Sequence, residues 1–93
     1  MQVRFARSAR KHRVSRASTL YVIEHCGLRF REPSRASSRW LDDRLVYLGD
    51  DESGAALEIM TIELENGDLL VIHAMPLRKR YQKQYEEARQ WRR

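Results

Sequence analysis

Leu57-Glu-Ile-Met-Thr-Ile-Glu-Leu64, Asn66-Gly67 and Leu69-Leu-Val-Ile-His-Ala-Met75 decide how this chain folds. The first segment is rich in Ile, Leu, Met and Thr, the composition of a buried or half-buried strand. Asn-Gly is the pair that most readily takes the positive φ angles of a type I′ turn, so the two apolar runs read as a β-hairpin. Both arms are apolar on nearly every residue, which places them in the middle of a sheet. Pro76 then ends the return strand and opens a helix, where its missing N–H costs nothing. Leu77, Tyr81, Tyr85, Ala88 and Trp91 follow at spacings of four, four, three and three, one helical face lying back on the sheet. Arg78, Lys79, Arg80, Lys83, Arg89 and Arg92 occupy the other faces.

Upstream, Gln2–Ala6 alternates polar and apolar residues as a short edge strand does. Ser8 predicts the N-cap of a short basic helix, Ala9–Arg13, and Ser15 the cap of a second, Arg16–His25. Gly27 marks the end of that second helix. Leu28–Arg31 and Arg44–Gly49 read as two more strands, separated by the polar loop Glu32–Ser38 and followed by the connection Asp50–Gly54. The order β-α-α-β-β-β-β-α predicts an α+β fold: a small antiparallel sheet with two N-terminal helices and one C-terminal helix packed on it. At 93 residues the chain is expected to be a single domain, 1–93.

Charge is distributed unevenly. Residues 1–40 hold ten basic side chains and two acids (+8), residues 41–75 one and nine (−8), and residues 76–93 seven and two (+5). Basic ends around an acidic middle suggest one face for a polyanion such as nucleic acid. A solvated Arg-rich surface is the plain alternative. No apolar run approaches the roughly 20 residues that cross a bilayer, and no signal-peptide pattern follows the basic N-terminus. The lone Cys26 gives neither a disulfide nor a metal cluster, in keeping with a reducing cytoplasm.

Four stretches resemble the BrnT family of bacterial type II toxins, within the wider RelE/ParE fold group. Lys11-His-Arg-Val-Ser15 resembles the family's Lys-His-Gly-Val-Ser junction between its first two helices. Arg44-Leu-Val-Tyr-Leu-Gly49 resembles its Arg-Phe-x-x-Ile-Gly strand. Leu70-Val-Ile-His-Ala74 resembles its Arg-Ile-Ile-Ser-Ala strand, and Tyr85-Glu-Glu87 its terminal Tyr-Glu-Glu. The resemblance implies a RelE/ParE-like fold and a small cytoplasmic ribonuclease that cleaves mRNA, inhibits translation and forms a hetero-oligomer with a cognate antitoxin protein. Two departures stand out: Met75 replaces the Arg common after the family's Ser-Ala pair, and no Glu accompanies Tyr81 in the last helix.

Ribonucleases of this group use no metal or other cofactor. The ribose 2′-OH attacks its own phosphate, which calls for a base, an acid and cations on the phosphate. His73, Arg78, Lys79 and Tyr85 are the catalytic candidates, with Lys11, His12, Arg44, Arg80 and Lys83 as RNA contacts. His73 has the side-chain type suited to proton exchange near neutral pH, although its alternation with Val71 and Met75 suits a structural role equally. Arg78, Lys79 and Arg80 fall in the expected first turn of the last helix, where free N–H groups also favour phosphate. Tyr85 lies on the apolar stripe, where core packing competes with base stacking. Arg44 suits either a phosphate or Asp42 and Asp43. No metal-ligand spacing and no Gly-rich phosphate loop is present. A non-catalytic RNA- or protein-binding module is the alternative reading, and a DNA-binding regulator using the N-terminal helices a third.

Overall fold

The computed structural model describes residues 2–34 and 42–91, with the side chain of Trp91 outside that set. Most of the expected Glu32–Ser38 loop lies outside the described residues. The elements run β1 (Val3–Phe5), a 3₁₀ turn (Arg7–Arg10), α1 (Arg16–His25), β2 (Leu28–Glu32), β3 (Arg44–Asp50), β4 (Ala56–Glu63) and β5 (Leu69–Pro76). A second 3₁₀ turn (Lys79–Tyr81) leads into α2 (Gln82–Trp91). The sheet order is β1-β5-β4-β3-β2, so both arms of the hairpin are interior strands.

Two apolar layers explain why those strands are apolar throughout. On one face Tyr47, Leu57, Ile59, Val71 and Ala74 pack with Val22 of α1 and with Ala9. On the other, Val46, Leu48, Met60, Ile62 and Ile72 pack with Tyr81 and Tyr85. α1 begins where Ser15 Oγ accepts the N–H of Ser18, 3.0 Å away.

The class is α+β, but the expected arrangement is corrected in several places. The sheet is mixed, not antiparallel, because β1 runs parallel to β5, with Val3 opposite Leu69 and Phe5 opposite Val71. Asp68 fixes that pairing by accepting from the Gln2 backbone at 2.8 Å and from Arg4 Nε at 3.2 Å. Among the described residues two α-helices are present, α1 and α2, rather than the two N-terminal helices and one C-terminal helix expected of a RelE/ParE-like arrangement from the caps and periodicity. The stretch expected as the first helix forms a single 3₁₀ turn and Ser8 does not cap it. Its hydroxyl instead donates to the Ile72 carbonyl at 2.7 Å.

The hairpin turn is also different from the expected type I′. Only Gly67 has positive φ (+86°), Gly67 N–H bonds Leu64 O, and Leu64 N–H bonds Asp68 O. That is a three-residue loop closed by a glycine bulge. Gly27 is not left-handed, since Gly54 and Gly67 are the glycines with positive φ among the described residues. Arg13 is, with φ of 59°, at the position where the resembling motif carries Gly.

Candidate active site at the end of β5

The site starts from a bulge. Met60 faces His73 and Thr61 faces Val71, so Ile72 is an extra residue in β5. It breaks the alternation read from sequence: Val71 belongs to the α1 face, whereas Ile72 and His73 both turn to the α2 face. His73 therefore does not share a face with Val71. On the same side of β4, between Leu57 and Ile59, lies Glu58, whose side chain is 0% exposed.

A buried carboxylate must be paired, and Glu58 is. Its Oε2 accepts from His73 Nε2 at 2.9 Å and from Arg78 Nε at 2.8 Å, and forms an ion pair with Arg78 Nη2 at 2.7 Å. Its Oε1 accepts the backbone N–H of Arg78 at 2.7 Å. Burial pushes the Glu58 carboxyl up, but the hydrogen bonds from His73 and Arg78 outweigh it and hold the group at about 2. Glu58 is thus an anion at neutral pH and can only accept. His73 must then carry a proton on Nε2, so in the neutral ring Nδ1 is the acceptor nitrogen. The same carboxylate pushes the Arg78 guanidinium up.

This contact also explains where the last helix starts. Leu77 N–H bonds Ala56 O at 3.0 Å and Arg78 N–H goes to Glu58, so the chain stays extended past Pro76. The helix expected from Pro76 begins at Gln82, after the 3₁₀ turn. Arg78, Lys79 and Arg80 consequently do not line the first turn of an α-helix, and phosphate binding there cannot draw on helix N–H groups.

The N-terminal segment reaches the same place. β1 pairs with β5 only as far as Val71; beyond it, Ala6 N–H bonds Val71 O and Ser8 Oγ bonds Ile72 O. The 3₁₀ turn so anchored brings His12 to His73, with ring centroids 6.2 Å apart and planes at 67°. His73 keeps 21% of its side-chain surface, Arg78 keeps 35%, and His12 is exposed. His12, His73 and Arg78 are the predicted residues that the fold assembles.

The other candidates fall elsewhere. Tyr85 is buried and its hydroxyl donates to Asp50, and this bond and burial both push the phenol up, so it is a tethered core residue. Arg44 is 6% exposed and sits opposite Glu32 on β2. Arg80 lies over the Tyr81 ring at 4.8 Å, with Glu32 3.8 Å from its guanidinium. Lys11, Lys79 and Lys83 are exposed. Glu58 is the residue that sequence reasoning missed. Its signal was an acid in the middle of an otherwise apolar interior strand, where a charge persists only with a partner.

Among the described residues, no group of three or more His, Cys, Asp or Glu side chains could hold a metal ion, and no helix is long and apolar enough to cross a membrane. Compared with family models, curated proteins and solved structures, the chain matches none.

Proposed function

We propose that the chain is a BrnT-like toxin: a metal-independent endoribonuclease of the cytoplasm that cleaves single-stranded mRNA and is neutralised by a cognate antitoxin protein. The observation that carries this reading is the Glu58-held pair of His73 and Arg78 on a solvent-accessible edge. Glu58 itself cannot act as the base, being fully buried and far too weakly basic at about 2. What it does is set the other two. His73, held through Nε2, presents a fixed ring orientation for proton exchange. Arg78 spends Nε–H on the carboxylate, with Nη2 beside it, and retains N–H groups on the far side of its planar fork for a phosphate. Lys11 and Lys79, both exposed, add positive charge nearby in sequence.

The test is cleavage of labelled single-stranded RNA by the purified chain, with and without ribosomes and with chelator present. Attack by the 2′-oxygen predicts products ending in a 2′,3′-cyclic phosphate and a 5′-hydroxyl. Replacing His73 by Gln should slow cleavage by about two orders of magnitude or more, the usual scale for a general acid or base. RNA binding without cleavage under every condition would instead make the chain a non-catalytic module.

A further inference from the structure

We infer that His12 and His73 divide the proton transfers of RNA cleavage, His73 taking the proton from the 2′-OH and His12 delivering one to the departing 5′-oxygen. The inference rests on the ribonuclease reading and adds to it the identity of the acid.

Three features lead to it. The histidines come from segments far apart in sequence, yet a built anchor, Ser8 Oγ on the Ile72 carbonyl at 2.7 Å, holds them together. Their rings meet edge to face at 6.2 Å. A heavy-atom hydrogen-bond reach of about 3 Å from each ring covers two oxygens on opposite sides of one phosphorus. Finally, the two rings differ in their surroundings. His73 gives Nε2–H to Glu58, so Nδ1 is the nitrogen that accepts a proton when the ring acts as a base. His12 is exposed and, among the described residues, meets the His73 ring with no hydrogen bond to its own, so its ring nitrogens are accessible to a leaving oxygen and to solvent. The titratable and charged groups around His73 are Glu58 of β4, which bonds its ring, His12 of the N-terminal segment, which meets it edge to face, and Arg78 beyond β5, which shares the Glu58 carboxylate.

The step balances. The 2′-O–H proton moves to His73 Nδ1 as the O2′–P bond forms. The P–O5′ bond breaks and O5′ takes a proton from the His12 imidazolium. Cyclic phosphate and 5′-hydroxyl leave, and solvent restores both rings. Arg78 faces the phosphate charge and takes no proton.

A substrate with sulfur in place of the bridging 5′-oxygen separates the two roles, because a thiolate departs without an acid. On ordinary RNA, His12→Ala and His73→Gln should each cleave at least about 100-fold more slowly than wild type. On the 5′-thio substrate, His12→Ala should recover to within several-fold of wild type while His73→Gln should not. His12 is exposed, and Gln at position 73 retains an N–H for Glu58, so both variants should keep the wild-type melting curve. Wild-type rates in His12→Ala on ordinary RNA would overturn the inference and leave the nuclease reading standing. Rescue of His73→Gln in place of His12→Ala would overturn the assignment of roles. Absence of cleavage of either substrate by wild type would remove the nuclease reading and this pair with it.

Discussion

Replacing Arg78 by Ala strips the guanidinium from a carboxylate that has no exposed surface. Removing one member of a buried ion pair typically costs about 3–5 kcal/mol, since the remaining charge is left in a poor medium. Here the loss is smaller. His73 and the residue-78 backbone N–H still bond Glu58, and the arginine side chain is 35% exposed, so solvent already screens part of its attraction. Arg78→Ala should therefore destabilise by about 2 kcal/mol, even though the residue lies outside both apolar layers. Glu58→Met removes the buried charge itself, and once it is gone the arginine has nothing to neutralise. The double variant Glu58→Met with Arg78→Ala should thus be more stable than the two single losses add to, by about 1 kcal/mol or more. Urea unfolding of all four proteins at neutral pH, with matched m-values, measures this coupling. If Arg78→Ala unfolds within about 0.5 kcal/mol of wild type, or the effects simply add, Glu58 is not held as described. The same curves decide whether any loss of RNA cleavage in Arg78→Ala reports chemistry or folding.

The Glu58 carboxyl is held at about 2, below its ordinary 4.5, so its stabilisation is complete above pH 4.5 and disappears as pH falls toward 2. Glu58→Met should lose stability more gradually over that window than wild type, and parallel acid-unfolding curves would count against the network. Arg13→Gly removes a left-handed non-glycine residue (φ 59°) and should stabilise by about 0.5–1 kcal/mol, after allowing for the looser unfolded chain; an unchanged or lower melting temperature contradicts this. RNA affinity should fall with salt, and changing Lys11, Lys79, Arg80 and Lys83 together to Gln should flatten the log–log slope by up to about 0.7 per lost phosphate contact. An unchanged slope removes these four from the RNA surface.

Local signals carried the parts of the fold that were legible in the sequence. Ser15 capping a run of helical periodicity placed α1 at Arg16–His25, as observed. The apolar runs around Asn66-Gly67 placed β4 and β5 beside each other in the sheet interior. What escaped depends on partners distant in the chain. Three residues of β1 do not announce a parallel partner more than sixty residues away, nor does Ser8 announce a carbonyl at Ile72. A helix-like pattern from Pro76 gave way because Glu58 captures the Arg78 N–H. At the site, His12, His73 and Arg78 were nameable by residue type. The bulge that turns His73 toward Glu58, and Glu58's place between them, were not, because both follow from strand register.

The parallel pairing of β1 with β5 also sets a timetable. A chain is made from its N-terminus, so Ser8 and His12 exist long before Ile72, His73 and Arg78 do. Until β5 has been synthesised, β1 has no strand to lie on and the 3₁₀ turn has no carbonyl to hold it. Glu58, made earlier than both its partners, likewise waits for His73 and Arg78 before its carboxylate can be buried as an ion. A nascent chain stopped anywhere before residue 73 contains no His12–His73 pair. The proposed cleavage would therefore be confined to chains whose synthesis has passed β5, and a truncated product would carry the basic N-terminal segment without the His12–His73 pair.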